Sequence, residues 1–281
     1  QQRGIDLSNP LNIDADGFPI GYGKNSQQVL LPAFVAAYSG GDASGVSLGF
    51  LRNFPLPNWN VKYTGLMRLP FFKENFKRFS IQHSYKASYT INQFRSNLDI
   101  NNPNPFDAGG NYRAETLVGN VNMVEQFSPL AKIDFETKSS FNIRGEVKKD
   151  RALSLSFDNN LLTEVKGIEY VAGFGYRFKD IIFSTKLADS PSGVIKGDIN
   201  LKIDFSYRNN KTIVRYLDYN NNQLGGGQNI WSAKLTADYS LTKNITAIFF
   251  YDHSFSKAVI STSFPMTNIR SGITLRYNFG N

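Results

Sequence analysis

The chain contains long runs in which apolar and polar residues alternate one by one. From Phe79 to Asn92 every second residue is polar, and nearly all the residues between them are apolar or aromatic. The same alternation runs from Ile199 to Arg208, from Trp231 to Ser240 and from Ile269 to Phe279. Successive side chains of a β-strand point to opposite faces of a sheet, so each run predicts a strand with one apolar and one polar face.

Further segments of strand character lie near 61–68, 116–125, 130–137, 140–148, 151–157, 163–178, 181–187, 211–219 and 244–254. Turn residues separate many of them, as at Asn209-Asn210, and the Asn- and Gly-rich runs 101–111 and 220–229 are predicted loops. This gives about 12 to 14 antiparallel strands within 59–281. Residues 1–58, rich in Gly, Pro, Asn and Asp, are predicted to be irregular with a short helix, as a segment in the lumen, at a gate or on the periplasmic side.

Two all-β architectures fit this pattern. A transmembrane strand needs about 9 to 11 residues, whereas strands of soluble proteins are usually nearer 5 or 6. The unbroken runs 79–92 and 163–178 exceed the shorter length, and tyrosines collect towards the ends of the apolar faces. Outer-membrane barrels place aromatic girdles at those positions. We therefore predict an antiparallel transmembrane β-barrel, with a soluble sandwich packed on one face as the alternative.

The polar side of the alternating runs carries charges of both signs, at Lys86, Lys202, Asp204, Lys234 and Asp238. In a barrel this side lines the water-filled interior. We interpret these five residues as facing the lumen.

Composition narrows the class of protein. The 281 residues are 41% hydrophobic, and no run approaches the roughly 18 to 20 apolar residues of a spanning helix. The net charge of +8 comes from basic residues scattered singly among acidic ones, whereas nucleic-acid binding requires a concentrated basic patch. The absence of cysteine excludes a disulfide scaffold. Because the chain begins with Gln1, we expect a processed chain or a piece of a longer one.

Candidate chemical sites are few, and we expect no enzymatic activity, metal or cofactor. His83 and Ser84 are neighbours in a predicted strand, so they face opposite ways and cannot form a base and nucleophile pair. His83 and His253 are in phase with aromatics and are interpreted as interface residues. The segment 12–17 resembles the start of a calcium loop, but Gly23 replaces its final Glu, so a polar turn is favoured. An outer-membrane lipid hydrolase is the enzyme alternative.

Two further segments have candidate roles. Pro55, Pro57 and Trp59 form either a gate or partner-docking element, or a turn at a strand entry with Trp59 at the membrane interface. The final strand alternates Ile273, Leu275, Tyr277 and Phe279 on its apolar side. We expect this terminal strand to act as the recognition signal for barrel assembly.

Motifs along the whole chain resemble one family. They are Gly17-Phe18-Pro19-Ile20-Gly21-Tyr22-Gly23-Lys24-Asn25, Leu31-Pro32-Ala33-Phe34 before Ala36-Ala37-Tyr38, Pro55-Leu56-Pro57-Asn58-Trp59 before Tyr63-Thr64-Gly65-Leu66, His83-Ser84-Tyr85, Phe249-Phe250-Tyr251-Asp252 and Ser261-Thr262-Ser263-Phe264-Pro265. With these motifs the chain resembles the C-terminal region of the SprA (Sov) family, the giant outer-membrane translocons of the Bacteroidota type 9 secretion system.

The resemblance implies a fold and a function. The chain would supply the closing strands of a much larger single-chain barrel in the outer membrane, in contact with lipid and lipopolysaccharide. It would belong to a protein-conducting channel for folded cargo with a C-terminal sorting domain. The implied partners are the remainder of the translocon chain, a smaller barrel that collects cargo, a periplasmic plug protein and an energised inner-membrane motor. The alternative is an independent outer-membrane porin for small or apolar solutes.

Overall fold

A computed structural model of the protein describes residues 5–39, 57–184, 194–219, 221–241, 244–260 and 263–279. In this part of the chain, nine strands form one antiparallel sheet, which confirms the predicted all-β antiparallel fold. The strands are β1 Trp59–Tyr63, β2 Phe76–Ser96, β3 Thr116–Thr137, β4 Phe141–Ser156, β5 Leu161–Ser184, β6 Val194–Tyr216, β7 Asn221–Ser240, β8 Ile245–Ala258 and β9 Met266–Tyr277. The helices are α1 Gln27–Ser39 and α2 Pro70–Asn75, with 3-10 turns at Pro10–Asn12 and Gly65–Arg68.

The sheet is a simple meander that does not close. Each strand pairs with the strand before it and the strand after it in the chain. The outer edges of β1 and β9 pair with no other strand of the described ranges, so the sheet has two open edges. None of the described helices has the length and apolar character needed to span a membrane.

The predicted strand count is too high because several pairs of predicted strands are continuous. Predicted strands 116–125 and 130–137 form β3, 140–148 and 151–157 form β4, and 199–208 and 211–219 form most of β6. The described part of 181–187 continues β5. Asn209 and Asn210 were predicted to turn, but β5 and β7 pair with them on both sides. Pairing with two neighbours therefore overrides the local preference of asparagine for turns.

Two other predicted boundaries are also wrong. The predicted loop 220–229 lies largely within β7, where Gly225 occupies a register shift opposite Thr212 and Ile213. Such a bulge accommodates an extra residue without ending the strand. The predicted strand 61–68 ends at Tyr63, and Pro70 then begins α2, a first-turn position that suits the fixed φ of proline.

The largest group of buried apolar side chains lies where α1 packs on one end of the sheet. Leu31, Phe34 and Val35 of α1 contact a group of sheet residues that includes Val121, Met123, Leu153, Leu155 and Leu162. The Gln27 side chain joins the start of α1 to β3, because its amide donates to the Thr116 carbonyl (2.9 Å) and accepts from the Val118 N–H (2.8 Å). The N-terminal segment is thereby anchored to the strands.

Candidate functional site

One face of the sheet carries a continuous band of apolar and aromatic side chains, which we call the apolar band. In four neighbouring strands it runs over 170–178 of β5, 199–207 of β6, 231–239 of β7 and 247–255 of β8. The register aligns these ranges, since Tyr170 pairs with Tyr207, Tyr207 with Trp231 and Trp231 with Phe255. Apart from His253, every alternate residue that faces this side within the band is apolar or aromatic.

The large side chains of the apolar band are exposed. Phe174 and Phe205 each retain about half of their accessible surface, at 51% and 52%, and Trp231 and Phe249 each retain 42%. Soluble monomers rarely expose contiguous apolar patches larger than a few hundred Å². Open aromatic rings across four strands therefore mark this face as a contact surface for lipid or for another protein.

Aromatic residues gather at both ends of the apolar band. At one end the ring centroids of Tyr207 and Trp231 lie 5.3 Å apart, and those of Trp231 and Phe255 lie 5.5 Å apart. At the other end the ring centroid of Tyr176 lies 4.5 Å from that of Phe141 and 4.6 Å from that of Phe178. Two aromatic rows with aliphatic residues between them are typical of the girdles of transmembrane barrels.

The opposite face, which we call the charged face, carries ion pairs between strands. One row crosses β4 to β9 and contains, in order, Arg144, Gly173, Asp204, Lys234, Asp252 and Arg270. Arg144 Nη2 lies 2.9 Å from Asp204 Oδ1, and Arg270 Nη2 lies 2.7 Å from Asp252 Oδ2. The charges alternate in sign along this row, so each neighbouring pair attracts.

Glycines in β5 allow side chains of β4 and β6 to meet above that strand. Arg144 lies on β4 and Asp204 on β6, so the side chains meet above Gly173, where a Cβ would collide with the Asp204 carboxylate. A second bridge lies above Gly167, where Arg208 Nη2 is 2.7 Å from Asp150 Oδ1. A Cβ at Gly167 would lie 2.9 Å from both of these atoms. The glycines thus leave room for side chains to approach closely across the sheet.

All five residues predicted to face the lumen lie on the charged face. Asp204 and Lys234 belong to the row just described, and Lys202 and Asp238 occupy neighbouring rows on the same side. Lys86 aligns with Gln126 and, through it, with Asp150. The structure therefore brings the five residues to one side of the sheet, while a lumen at that side stays a prediction. The alternation of the sequence did not reveal the ion pair between Arg144 and Asp204. The one sequence feature that could have indicated it is Gly173, a glycine inside a long strand.

Trp59 is the first residue of β1, and its ring centroid lies 4.5 Å from that of Tyr85 and 6.2 Å from that of His83. Pro57 lies two residues before the start of β1, and Pro55 lies outside the described residues. His83 Nδ1 is 2.6 Å from the Leu130 carbonyl oxygen, so that ring contacts backbone. This is the geometry of a strand entry, and a gating or docking role stays a prediction.

The predicted assembly-signal residues lie at the second open edge. Ile273, Leu275 and Tyr277 alternate along β9 and are exposed. Phe279 follows two residues beyond Tyr277, with ring centroids 4.6 Å apart. Their position at the free edge does not test a role in barrel assembly, and that role stays a prediction.

Sequence reasoning missed a buried carboxylate under α1. Glu164 retains 3% of its surface, and its oxygens lie 2.9 Å from Arg151 Nε and 2.6 Å from Arg215 Nη2. The Arg151 guanidinium also lies 4.8 Å from the centre of the Tyr38 ring on α1. The available signal was a charged residue in phase with the apolar Leu162 of the same strand. This cluster joins α1 to the sheet, which is a structural role.

No group of three or more His, Asp or Glu side chains in the described part of the chain could hold a metal ion. In the segment that resembles a calcium loop, Asp14 Oδ1 accepts hydrogen bonds from the backbone N–H groups of Asp16 (3.0 Å) and Phe18 (2.8 Å). The carboxylate therefore closes a polar turn, as the sequence favoured.

Comparison with known proteins identifies no family for this chain. No family model matches the chain, and no curated protein matches it significantly. The function of the protein must therefore be inferred from the two faces of the sheet and from the sequence motifs.

Neighbouring substitutions in β7 test the assignment of the two faces. Leu235 lies midway along the apolar band and Lys234 lies on the charged face. If the apolar band meets lipid, Leu235→Arg should destabilise the protein in a bilayer by about 2 to 4 kcal/mol, because arginine at mid-membrane depth is unfavourable. Lys234→Ser, the control at the adjacent position, should cost less than about 1 kcal/mol, because charges on an exposed surface contribute little. Urea unfolding of the protein in lipid vesicles measures both, and the reverse ranking would invert the faces.

Proposed function

We propose that this chain forms part of the wall of a large outer-membrane β-barrel that conducts proteins, as a component of a type 9 secretion translocon. The observation that carries the proposal is the sheet with two open edges, an apolar band on one face and alternating charges on the other. The proposal has three parts: the membrane, the size of the barrel and the nature of the cargo.

The membrane setting is supported by the dimensions of the apolar band. Its range in each of the four strands, such as 199–207 in β6, agrees with the about 9 to 11 residues that a tilted strand needs to cross a bilayer. The aromatic rows lie at its two ends, where the interfaces of the membrane would be. A soluble sandwich would instead require a second layer over these side chains, and the described residues place none over the band.

The size of the barrel is supported by the open edges. Each unpaired backbone N–H or C=O in the hydrocarbon region costs several kcal/mol, so transmembrane sheets close on themselves. β1 covers only Ile81–Tyr85 of the long edge of β2, and β9 has no partner on its outer side among the described strands. Further strands must therefore complete the wall, which favours a piece of a larger barrel over an independent porin.

The protein cargo is supported by the charged face together with the sequence motifs. Positive and negative groups alternate along the rows and pair across strands, as with Arg177 and Asp198 at 2.6 Å. Such a surface is hydrated and has no strong net preference for one sign of charge. This suits the passage of varied folded proteins. The motifs that resemble secretion translocons then favour cargo with a C-terminal sorting domain, collected by a smaller barrel and controlled by a plug.

Expression of residues 1–281 alone, with an outer-membrane signal, tests whether the chain closes its own barrel. We expect no compact, heat-shifting band on gels, because the two open edges leave backbone groups unpaired in lipid. The band should appear when the complete chain of the protein is expressed in parallel as the control. A compact, heat-shifting species from residues 1–281 alone would contradict the proposal and favour a solute porin.

Depletion of the protein in the bacterium that makes it tests the cargo. Proteins with a C-terminal sorting domain should then accumulate in the periplasm and disappear from the cell surface, which fractionation and surface labelling measure. An unrelated outer-membrane barrel serves as the control and should assemble normally. Unchanged cargo at the surface after depletion would refute the secretion role, even if the protein is a membrane barrel.

A further inference from the structure

We infer that the apolar face binds one anionic lipid molecule, with an acyl chain in a groove of the apolar band and a phosphate group among Lys149, Lys166 and Lys211. This inference rests on the membrane setting proposed above, and it adds a specific ligand to that face. It is carried by the shape of the groove, by the position of the lysines and by the scarcity of acidic partners around them.

The groove lies across β3 to β8 at one end of the apolar band, with a volume of about 740 Å³. Around the groove, large residues alternate with three small ones, which are Gly145, Ala172 and Ala233. A Cβ built on Gly145 would meet no atom within 4 Å, so the space above this glycine is open. Aromatic residues that line the groove are Tyr170, Phe205, Tyr207, Trp231 and Phe255, and the His253 ring also lines it. Its size and apolar lining suit a flexible hydrocarbon chain.

The three lysines stand on the same face, directly beyond this end of the groove. Lys149 is the second residue after Val147 of the groove on β4, so both side chains point to the same side. Lys166 on β5 pairs directly with Lys211 on β6, one row further out. All three residues are exposed. They therefore lie just outside the aromatic row, at the depth where lipid headgroups begin.

Acidic groups of the protein offset this cluster only in part. Within the described ranges Lys149 and Lys211 form no ion pair, while Lys166 Nζ lies 3.9 Å from Glu164 Oε1. Glu164 is nearly buried, and its oxygens already accept hydrogen bonds from Arg151 and Arg215. Glu125, on the same row as Lys166, accepts from the Tyr85 hydroxyl (3.0 Å).

The placement of these lysines is unfavourable without an anion. Like charges directly opposite each other on neighbouring strands destabilise a sheet, and Lys166 faces Lys211 in this way. A phosphate among the three ammonium groups would replace repulsion with charge-assisted hydrogen bonds. Basic residues near an anionic membrane surface contribute about 1 kcal/mol each. A lipid satisfies both parts of the site at once, because its phosphate and its acyl chain are covalently joined.

Photo-crosslinking in lipid nanodiscs tests the site in the complete protein. Nanodiscs of phosphatidylcholine would contain a trace of phosphatidylglycerol with a photoreactive acyl chain, or of phosphatidylcholine with the same chain as the neutral probe. Peptide mass spectrometry after illumination then locates the labelled residues. We expect the anionic probe to label groove residues such as Phe205 and Trp231 in clear preference to the neutral probe.

Three variants separate the parts of the site. The triple variant Lys149→Gln, Lys166→Gln, Lys211→Gln should lower the preference for the anionic probe about tenfold or more, given the contribution of each charge. The control triple variant Lys86→Gln, Lys202→Gln, Lys234→Gln removes the same charge from the opposite face and should leave the preference unchanged. Gly145→Leu fills the groove and should reduce labelling there by both probes.

Other outcomes would overturn the inference. Equal labelling by the two probes, or labelling spread evenly along the apolar band, would show that the face meets bulk lipid only. A protein found crosslinked over the groove in the native membrane, with lipid excluded, would assign the surface to a partner. If alkaline extraction removed the protein from membranes, the proposed function itself would fail, and that result is distinguishable because it needs no lipid probe.

Discussion

The register of the antiparallel ladder, which has no shift within the apolar band, is the constraint on which the rest of the structure depends. Side chains alternate between faces with a period of two, so a slip of one residue would move every apolar side chain of a strand to the charged face. The pairing of β4 with β5 is continuous from Phe141 with Tyr176 to Ser156 with Leu161. This register keeps the aromatic rows level across the sheet and keeps the charges of opposite sign adjacent on the other face.

Residues that lack a large side chain shape both faces of the sheet. On the charged face, Gly173 leaves the space through which Arg144 reaches Asp204 from two strands away. On the apolar face, Gly145 and Ala172 lower the surface and so create the groove between aromatic residues. Small residues therefore shape both surfaces, although glycine generally weakens a strand. Their positions are explained by what lies above them rather than by local strand preference.

Much of the fold was predictable from the sequence, because alternation with a period of two is a direct consequence of strand geometry. It gave the all-β antiparallel fold and the common side of Lys202, Asp204 and Lys234. Strand boundaries were less predictable, since Asn209 and Asn210 favour turns locally but pair on both sides within the sheet. Contacts between strands, such as the one from Arg144 to Asp204, depend on register and on the glycine between them. Those relations are set by tertiary structure.

Spin-label accessibility along β6 tests the central claim, that one face of this sheet meets lipid and the other meets water. The chain contains no cysteine, so single cysteines can be introduced at each position from 199 to 208 and labelled in the membrane-embedded protein. We predict that collision with oxygen, which partitions into lipid, is high at odd positions such as Ile203. Collision with a water-soluble nickel chelate should be high at even positions such as Lys202. Equal access of the nickel chelate to both sets of positions would contradict the account.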